Sequence, residues 1–351
     1  MITSESFSFE HLHMIRQQYE VDGNVLERNV FALALLQALV LVEMPFVFKG
    51  GTSLLLLLKN PRRLSTDIDL IVEPGTDVEM YLHKAAKIFP FKTMEQHHRS
   101  GKNRIQKSHY KFTYDSQAHR GTFYVLLDIL FESNPYPSIV SRPINHPFLL
   151  TEEPYLQVKI PSVNSILGDK LAAFAPHTTG ILLSEGKPMD IAKQFFDVAT
   201  LIDEHDSLEE VIISYESHVA SQLAYRGLNV TKEEVLSDTL NAAVSIASRG
   251  LYDFEEYSAY LKGIRGLGNH VYKGTCSGES AVLLASRVMY FATCILTKTS
   301  FDHTVNPPEF ISRNIGNSLY SKLSSLRNGS PLGFAYTVKA IELLEKIKRE
   351  N

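Results

Sequence analysis

Residues 46–72, FVFKGGTSLLLLLKNPRRLSTDIDLIV, decide the fold. They read as a short apolar strand, a Lys-Gly-Gly-Thr-Ser turn and a helix-length run of leucines. A basic loop holding Pro61 follows, then a second strand that opens on Asp67-Ile68-Asp69. Alternate side chains of a strand share a face, so Asp67 and Asp69 project together while Ile68 and Leu70 face the other way. Two carboxylates held that close repel unless a cation lies between them. Mg²⁺ is such a cation: one or two carboxylates hold it, and substrate phosphates and water complete its shell. Gly50-Gly51 upstream supplies backbone N–H groups and a helix N-terminus, which together bind phosphate. Either feature alone is common. Together they form the layout of a nucleotidyl-transfer site, with Thr52 and Ser53 in the phosphate turn and Ser65 either bonding a phosphate or capping its own turn.

With 351 residues the chain has room for two domains, and 44% hydrophobic with 21% charged residues is ordinary for a soluble globular protein. A net charge of −4 excludes a general polycation, so any nucleic-acid contact must use a local patch. Cys276 and Cys294 fit neither a metal site nor a disulfide framework, which points to the reducing cytoplasm. The opening MITSESFSFEHLHM lacks the basic and apolar regions of a signal peptide. Residues 31–48 are strongly apolar, but Gln37, Glu43 and Pro45 interrupt them, so a buried amphipathic helix is expected and no membrane span.

Working outward, residues 10–20 and 24–44 read as helices, the second ending before Pro45. Strands are expected at 46–48, 68–72, 104–114 and 123–131, with a helix at 77–89. This mixture of helical crossover and antiparallel pairing indicates an α+β fold with a mixed sheet. The segment 132–164 holds Pro135, Pro137, Pro143, Pro147, Pro154 and Pro161 and reads as a boundary loop. Beyond it helices are expected at 163–175, 188–204, 207–223, 231–248, 253–263, 278–298 and 333–349, with a Gly-rich loop over 263–280. The expected division is a catalytic domain with N-terminal helices over 1–150 and a helical domain over 151–351 that closes the active-site cleft.

Asp128 lies in the apolar strand YVLLDILFES. It is either a strand-end residue facing solvent or a third carboxylate that deprotonates the attacking hydroxyl or completes a metal site. Lys170, in the helix SILGDKLAAFA, either snorkels or reaches a triphosphate. Asp190, Lys193 and Asp197 share one face of the helix KPMDIAKQFFDVATL, which is an amphipathic surface or part of a nucleotide site. Between 92 and 111 the chain carries Lys92, Arg99, Lys102, Arg104, Lys107 and Lys111 against Glu95 alone, interleaved with His97, His98, His109 and Tyr110. That stretch reads as an RNA-backbone patch or as a solvated hairpin face. The His pair has no third ligand at a metal-like spacing, which excludes zinc.

Residues 48–71 resemble the first motif of the AbiEii-type nucleotidyltransferase toxins of bacterial type IV toxin–antitoxin and abortive-infection systems. The matching residues are Gly50-Gly51-Thr52-Ser53, Arg63-Leu64-Ser65 and Asp67-Ile68-Asp69. The Lys-bearing helix of that family is similar to Leu167-Gly168-Asp169-Lys170-Leu171-Ala172-Ala173. Its later Lys-Asp-x-x-Asp helix is similar to Lys193-Gln194-Phe195-Phe196-Asp197, with Gln194 in place of the first Asp and Asp190 as another acid nearby. The resemblance spans roughly residues 25–300. It implies a polymerase-β-like catalytic domain joined to a helical domain, with NTP as substrate and Mg²⁺ (or Mn²⁺), for which the residues themselves offer Asp67, Asp69 and Asp128 as ligands. It further implies Lys170 as a catalytic cation, the tRNA 3′ end as target and a separately encoded antitoxin as partner.

The leading expectation is therefore an enzyme that moves NMP from NTP to the tRNA 3′ end. A second reading keeps the fold and makes a small molecule or a protein side chain the acceptor. A third is a non-catalytic nucleotide-binding module, against which the intact Asp pair and Lys170 argue. A DxD glycosyltransferase is a weaker fourth, because the Gly-Gly turn so close upstream is foreign to it.

Overall fold

Strand alternation organises the N-terminal half. The structure is a computed structural model and describes residues 1–97, 106–118 and 121–350. Among the described residues five strands form one sheet: β1 (Val47–Lys49), β2 (Asp67–Val72), β3 (Thr93–Gln96), β4 (Lys107–Asp115) and β5 (Thr122–Phe131). Their spatial order is β1-β2-β5-β4-β3. β2 and β5 run parallel while the other neighbours are antiparallel, which makes the sheet mixed as expected. In β4 and β5 Tyr110, Phe112, Tyr114, Val125, Leu127 and Ile129 are buried, whereas the residues between them are half-buried or exposed. One face of the sheet is thus core, and the other carries the polar row described below.

The core face is covered by α2 (Gly23–Leu41), with α1 (Phe9–Tyr19) beside it. Asp22 caps α2, its Oδ1 accepting from the N–H groups of Asn24 and Val25. Phe31, Leu33, Leu35, Leu36 and Leu39 are all at most 1% exposed. Each such side chain contributes about 1.5–3 kcal/mol relative to staying in water. α2 and a later helix, Gly278–Leu296, are long and apolar enough to cross a membrane, yet 72% of each apolar window is buried inside the protein.

Some elements differ from expectation. The helix expected at 77–89 is limited to α4 (Glu79–Ala85), with turn and bend backbone from Ala86 to Pro90. β3 is a polar edge strand held by its ladder to β4, so it carries no hydrophobic alternation. The proline-rich segment holds an antiparallel hairpin, β6 (Ile139–Pro143) with β7 (Gln157–Pro161), whose prolines sit at strand ends where a lost N–H is tolerated.

The chain divides into two units: residues 1–162 with 269–274, and residues 163–268 with 275–351. The short return segment joins the first unit through Leu64 N–H donating to His270 O (2.8 Å) and a bridge between Arg63 and Val271. The second unit is helical: α5 (Val163–Ala173), α6 (Pro188–Leu201), α7 (Leu208–Arg226), α8 (Lys232–Ala247), α9 (Phe254–Leu267), α10 (Gly278–Leu296), α11 (Leu326–Gly329) and α12 (Pro331–Glu350). α5 packs on α7, α6 on α9, and α10 on both α8 and α12. Two glycines set the closest crossings. A Cβ on Gly168 would stand 2.5 Å from Tyr215 N, and one on Gly263 would stand 2.0 Å from Pro188 O.

Candidate active site

Register builds the site in the first unit. Lys49 on β1 pairs with Asp69 on β2, Asp69 with Asp128 on β5, and Asp128 with His109 on β4. These four residues form one cross-strand row on the half-open face. Neighbouring strands lie about 4.8 Å apart, so Asp69 and Asp128 stand side by side. Asp67 is one pleat along, in register with Leu126. The β4–β5 register is fixed at its turn by the buried Glu27, whose carboxylate accepts from Ser116 Oγ (2.8 Å) and from the N–H groups of Gln117 (2.7 Å) and Ala118 (3.2 Å).

Basic partners offset the repulsion of the carboxylates. His109 Nδ1–H donates to Asp128 Oδ1 at 2.7 Å, the two side chains being 16% and 31% exposed. Arg28 Nη2 lies 3.5 Å from Asp67 Oδ1, and Thr66 Oγ1 donates to the same oxygen at 3.3 Å. Lys49 and Lys107 line a pocket of about 190 Å³ together with Asp69, His109 and Asp128. Lys107 is exposed as a residue, but protein crowds its ammonium, and that desolvation, helped by the Lys49 charge, lowers its pKa.

The Gly-Gly turn meets this row directly. Gly50 has φ +78°, and a Cβ there would stand 2.1 Å from Asp69 Oδ2. Only glycine allows both the backbone angle and the close approach of the carboxylate. A Cβ on Gly51 would stand 2.6 Å from Arg63 Nη2 and 3.0 Å from Ser65 Oγ, so Ser65 also packs on the turn. α3 (Gly50–Leu57) starts here, and the first N–H groups of a helix lack intrahelical acceptors. Thr52 and Ser53 are fully buried and brace the turn: Thr52 Oγ1 donates to Asp67 O (2.6 Å) and Ser53 Oγ to Gly50 O (2.8 Å).

Among the described residues no group of three or more His, Cys, Asp or Glu side chains is placed to hold a metal ion by itself. The donor set instead suits a hard cation that two adjacent carboxylates, Asp69 and Asp128, hold in part. Its other ligands would be water and substrate oxygens, with Asp67 nearby.

The remaining expected residues lie in the helical unit. Lys170 on α5 is buried, its ammonium 3.0 Å from Asp197 Oδ2 and donating to Gln194 Oε1 at 3.0 Å, both on α6. Asp190 and Lys193 form their own half-exposed pair at 3.1 Å, so Asp197 is the α6 acid that meets Lys170. In the basic stretch, His98, Arg99, Lys102 and Arg104 lie outside the described residues, while Lys92 is paired with Asp115.

Sequence reasoning missed Lys49 and Arg28, and it assigned Lys107 and His109 to an RNA patch. The register of β4 against β5 sets residue 109 opposite 128, which no local pattern of the sequence reveals.

A sequence model described as "Nucleotidyl transferase AbiEii toxin, Type IV TA system" matches residues 34–268. Among curated proteins none matches. Similar solved structures include JHP933 from Helicobacter pylori, at 16% identity, 78% of this chain, 93% of that chain and a TM-score of 0.42. A putative nucleotidyltransferase from the same organism gives 17%, 75%, 92% and 0.42. An antigenic nucleotidyltransferase-like protein from Paracoccidioides brasiliensis gives 16%, 56%, 86% and 0.38.

Proposed function

The chain belongs to the AbiEii nucleotidyltransferase toxin family of type IV toxin–antitoxin systems, and we propose that it transfers NMP from an NTP to the 3′ end of tRNA in the cytoplasm. Family membership makes it an NTP-using transferase with an antitoxin as partner. The acceptor, the metal and the residue roles are this proposal. The observation that carries it is the row in which Asp69 and Asp128 neighbour each other while Gly50 abuts Asp69.

In this reading Asp67, Asp69 and Asp128 hold Mg²⁺ (or Mn²⁺), which when bound neutralises the charge of the reacting phosphates. The Gly50-Gly51 turn and the start of α3 bind the β- and γ-phosphates through backbone N–H groups, with Thr52, Ser53 and Ser65 keeping the turn in shape. Asp128 accepts the proton of the acceptor hydroxyl, whose oxygen bonds to the α-phosphorus as the bond to the β-phosphate bridging oxygen breaks and pyrophosphate leaves. His109 fixes which way Asp128 points. Lys170 serves as the cation that stabilises phosphate charge, oriented by Asp197 and Gln194, with Asp190 and Lys193 as further nucleotide contacts.

The test is incubation of purified protein with total tRNA and each α-labelled NTP, with Mg²⁺ or with EDTA. The proposal expects label on RNA from one NTP, matched by released pyrophosphate and abolished by EDTA. Label on protein or on a small molecule instead of RNA would assign another acceptor. NTP binding without any transfer would contradict the catalytic reading.

A further inference from the structure

From Asp128 the half-open face continues along β5 through Leu126 to Tyr124. These side chains share one face because they alternate with the buried Val125 and Leu127. Tyr124 is 42% exposed, an unusual place for a large ring on a central strand. In register beside this track on β4 stand Thr113 opposite Tyr124, Lys111 opposite Leu126 and His109 opposite Asp128. The Lys111 ammonium lies 4.8 Å from the centre of the Tyr124 ring. An exposed aromatic ring with a lysine over it, on a sheet face that runs into a carboxylate centre, has the chemistry of a single-stranded nucleic-acid platform. Bases stack on such rings whatever their sequence, and flanking cations meet the phosphates.

We infer that this face of the sheet is the acceptor track: Tyr124 stacks a base of a single-stranded RNA 3′ end, and Lys111 meets the adjoining phosphate. The inference rests on the RNA-acceptor reading above and adds the surface that would grip the acceptor. Tyr124 lies four residues from Asp128, about 13 Å at the rise of a strand. A chain end whose last hydroxyl reaches Asp128 therefore lays its preceding nucleotides over Leu126 and Tyr124. The exposed Tyr124 ring selects this occupant over an acidic protein segment, because it offers a stacking surface that a base uses and a carboxylate side chain does not. Lys111 supplies a positive charge beside Leu126, with Glu95 of β3 in register with Lys111 on one side and Asp67 of β2 in register with Leu126 on the other.

The experiment is fluorescence anisotropy with a 5′-fluorescein, single-stranded RNA octamer ending in a free 3′-hydroxyl, alongside NTP affinity measured by calorimetry. Tyr124→Ala is expected to weaken RNA binding about 5- to 100-fold, the range found when one stacking ring is removed. Tyr124→Phe keeps the ring and should stay within about twofold, and Lys111→Ala should flatten the salt dependence. NTP affinity should stay at the wild-type value throughout. Wild-type RNA affinity in a folded Tyr124→Ala protein overturns the platform while leaving the RNA acceptor standing. A wild-type protein that binds NTP but not the octamer overturns both.

Discussion

At the scale of single residues, the proposed centre rests on a contact too close to tolerate another atom. Gly50 carries a left-handed φ and touches the Asp69 carboxylate at a distance no Cβ could share. Gly50→Ala should therefore displace Asp69, destabilise the fold by about 1–2 kcal/mol and reduce NMP transfer on the order of a hundredfold. Thermal melting and single-turnover transfer read the two effects separately, and normal transfer would show that Asp69 does not need this seat. His109 offers a second case. His109→Ala frees Asp128 and should lower kcat about 10- to 100-fold, as loss of an orienting partner commonly does at metal sites. His109→Asn keeps a donor near the carboxylate and should recover part of the loss, while an alanine variant with unchanged kcat would remove His109 from the account. Asp67, Asp69 and the glycines were legible in the sequence because strand parity and turn chemistry are local. His109 and Lys49 were not, since their places follow from cross-strand register.

At the scale of elements, α5 and α6 are joined by a buried ion pair whose members are 8% and 1% exposed. Removing one member leaves the other charged and desolvated. Asp197→Ala should destabilise the protein by about 3–5 kcal/mol, measured by urea unfolding. The double change Lys170→Met with Asp197→Leu should recover most of that stability while abolishing transfer if Lys170 serves the phosphates. A destabilisation below about 1 kcal/mol in Asp197→Ala would mean that water already screens the pair. The sequence placed both residues on helices and Asp197 on a shared face with Lys193. It left open which acid of α6 matters, because only packing against α5 separates the buried Asp197 from the half-exposed Asp190. β3 and β6 escaped notice for a related reason: they are short and polar or proline-bearing, and pairing rather than burial creates them, while β7 is short and ends on Pro161 although Val158 and Ile160 are buried.

At the scale of the whole molecule, the α+β division and the helical C-terminal half follow from long-range periodicity. The return of residues 269–274 to the first unit is a tertiary event with no local signal. Stability of that unit should depend on pH through His146. Burial, and then the Lys273 charge, lowers its pKa from 6.5 to about 4. The unfolded chain takes up this proton near pH 6.5, whereas the folded chain resists it until about pH 4. Stability therefore falls as pH drops through that window, by at most about 3 kcal/mol, and levels off below it. Urea midpoints at several pH values should show this slope in the wild type and a reduced one in His146→Phe. An identical slope in both would assign the acid sensitivity to other groups.

The central claim is that the β2–β5 carboxylate row is the catalytic centre, and Asp69→Asn tests it most directly. The substitution keeps the shape of the side chain and removes its charge. The decisive measurement is single-turnover NMP transfer from NTP to tRNA by wild type and variant, with melting curves to establish that both are folded. The account predicts a folded variant whose transfer rate falls on the order of a hundredfold or more, as loss of charge stabilisation at a reacting phosphate requires. A folded Asp69→Asn protein that transfers at the wild-type rate would contradict it.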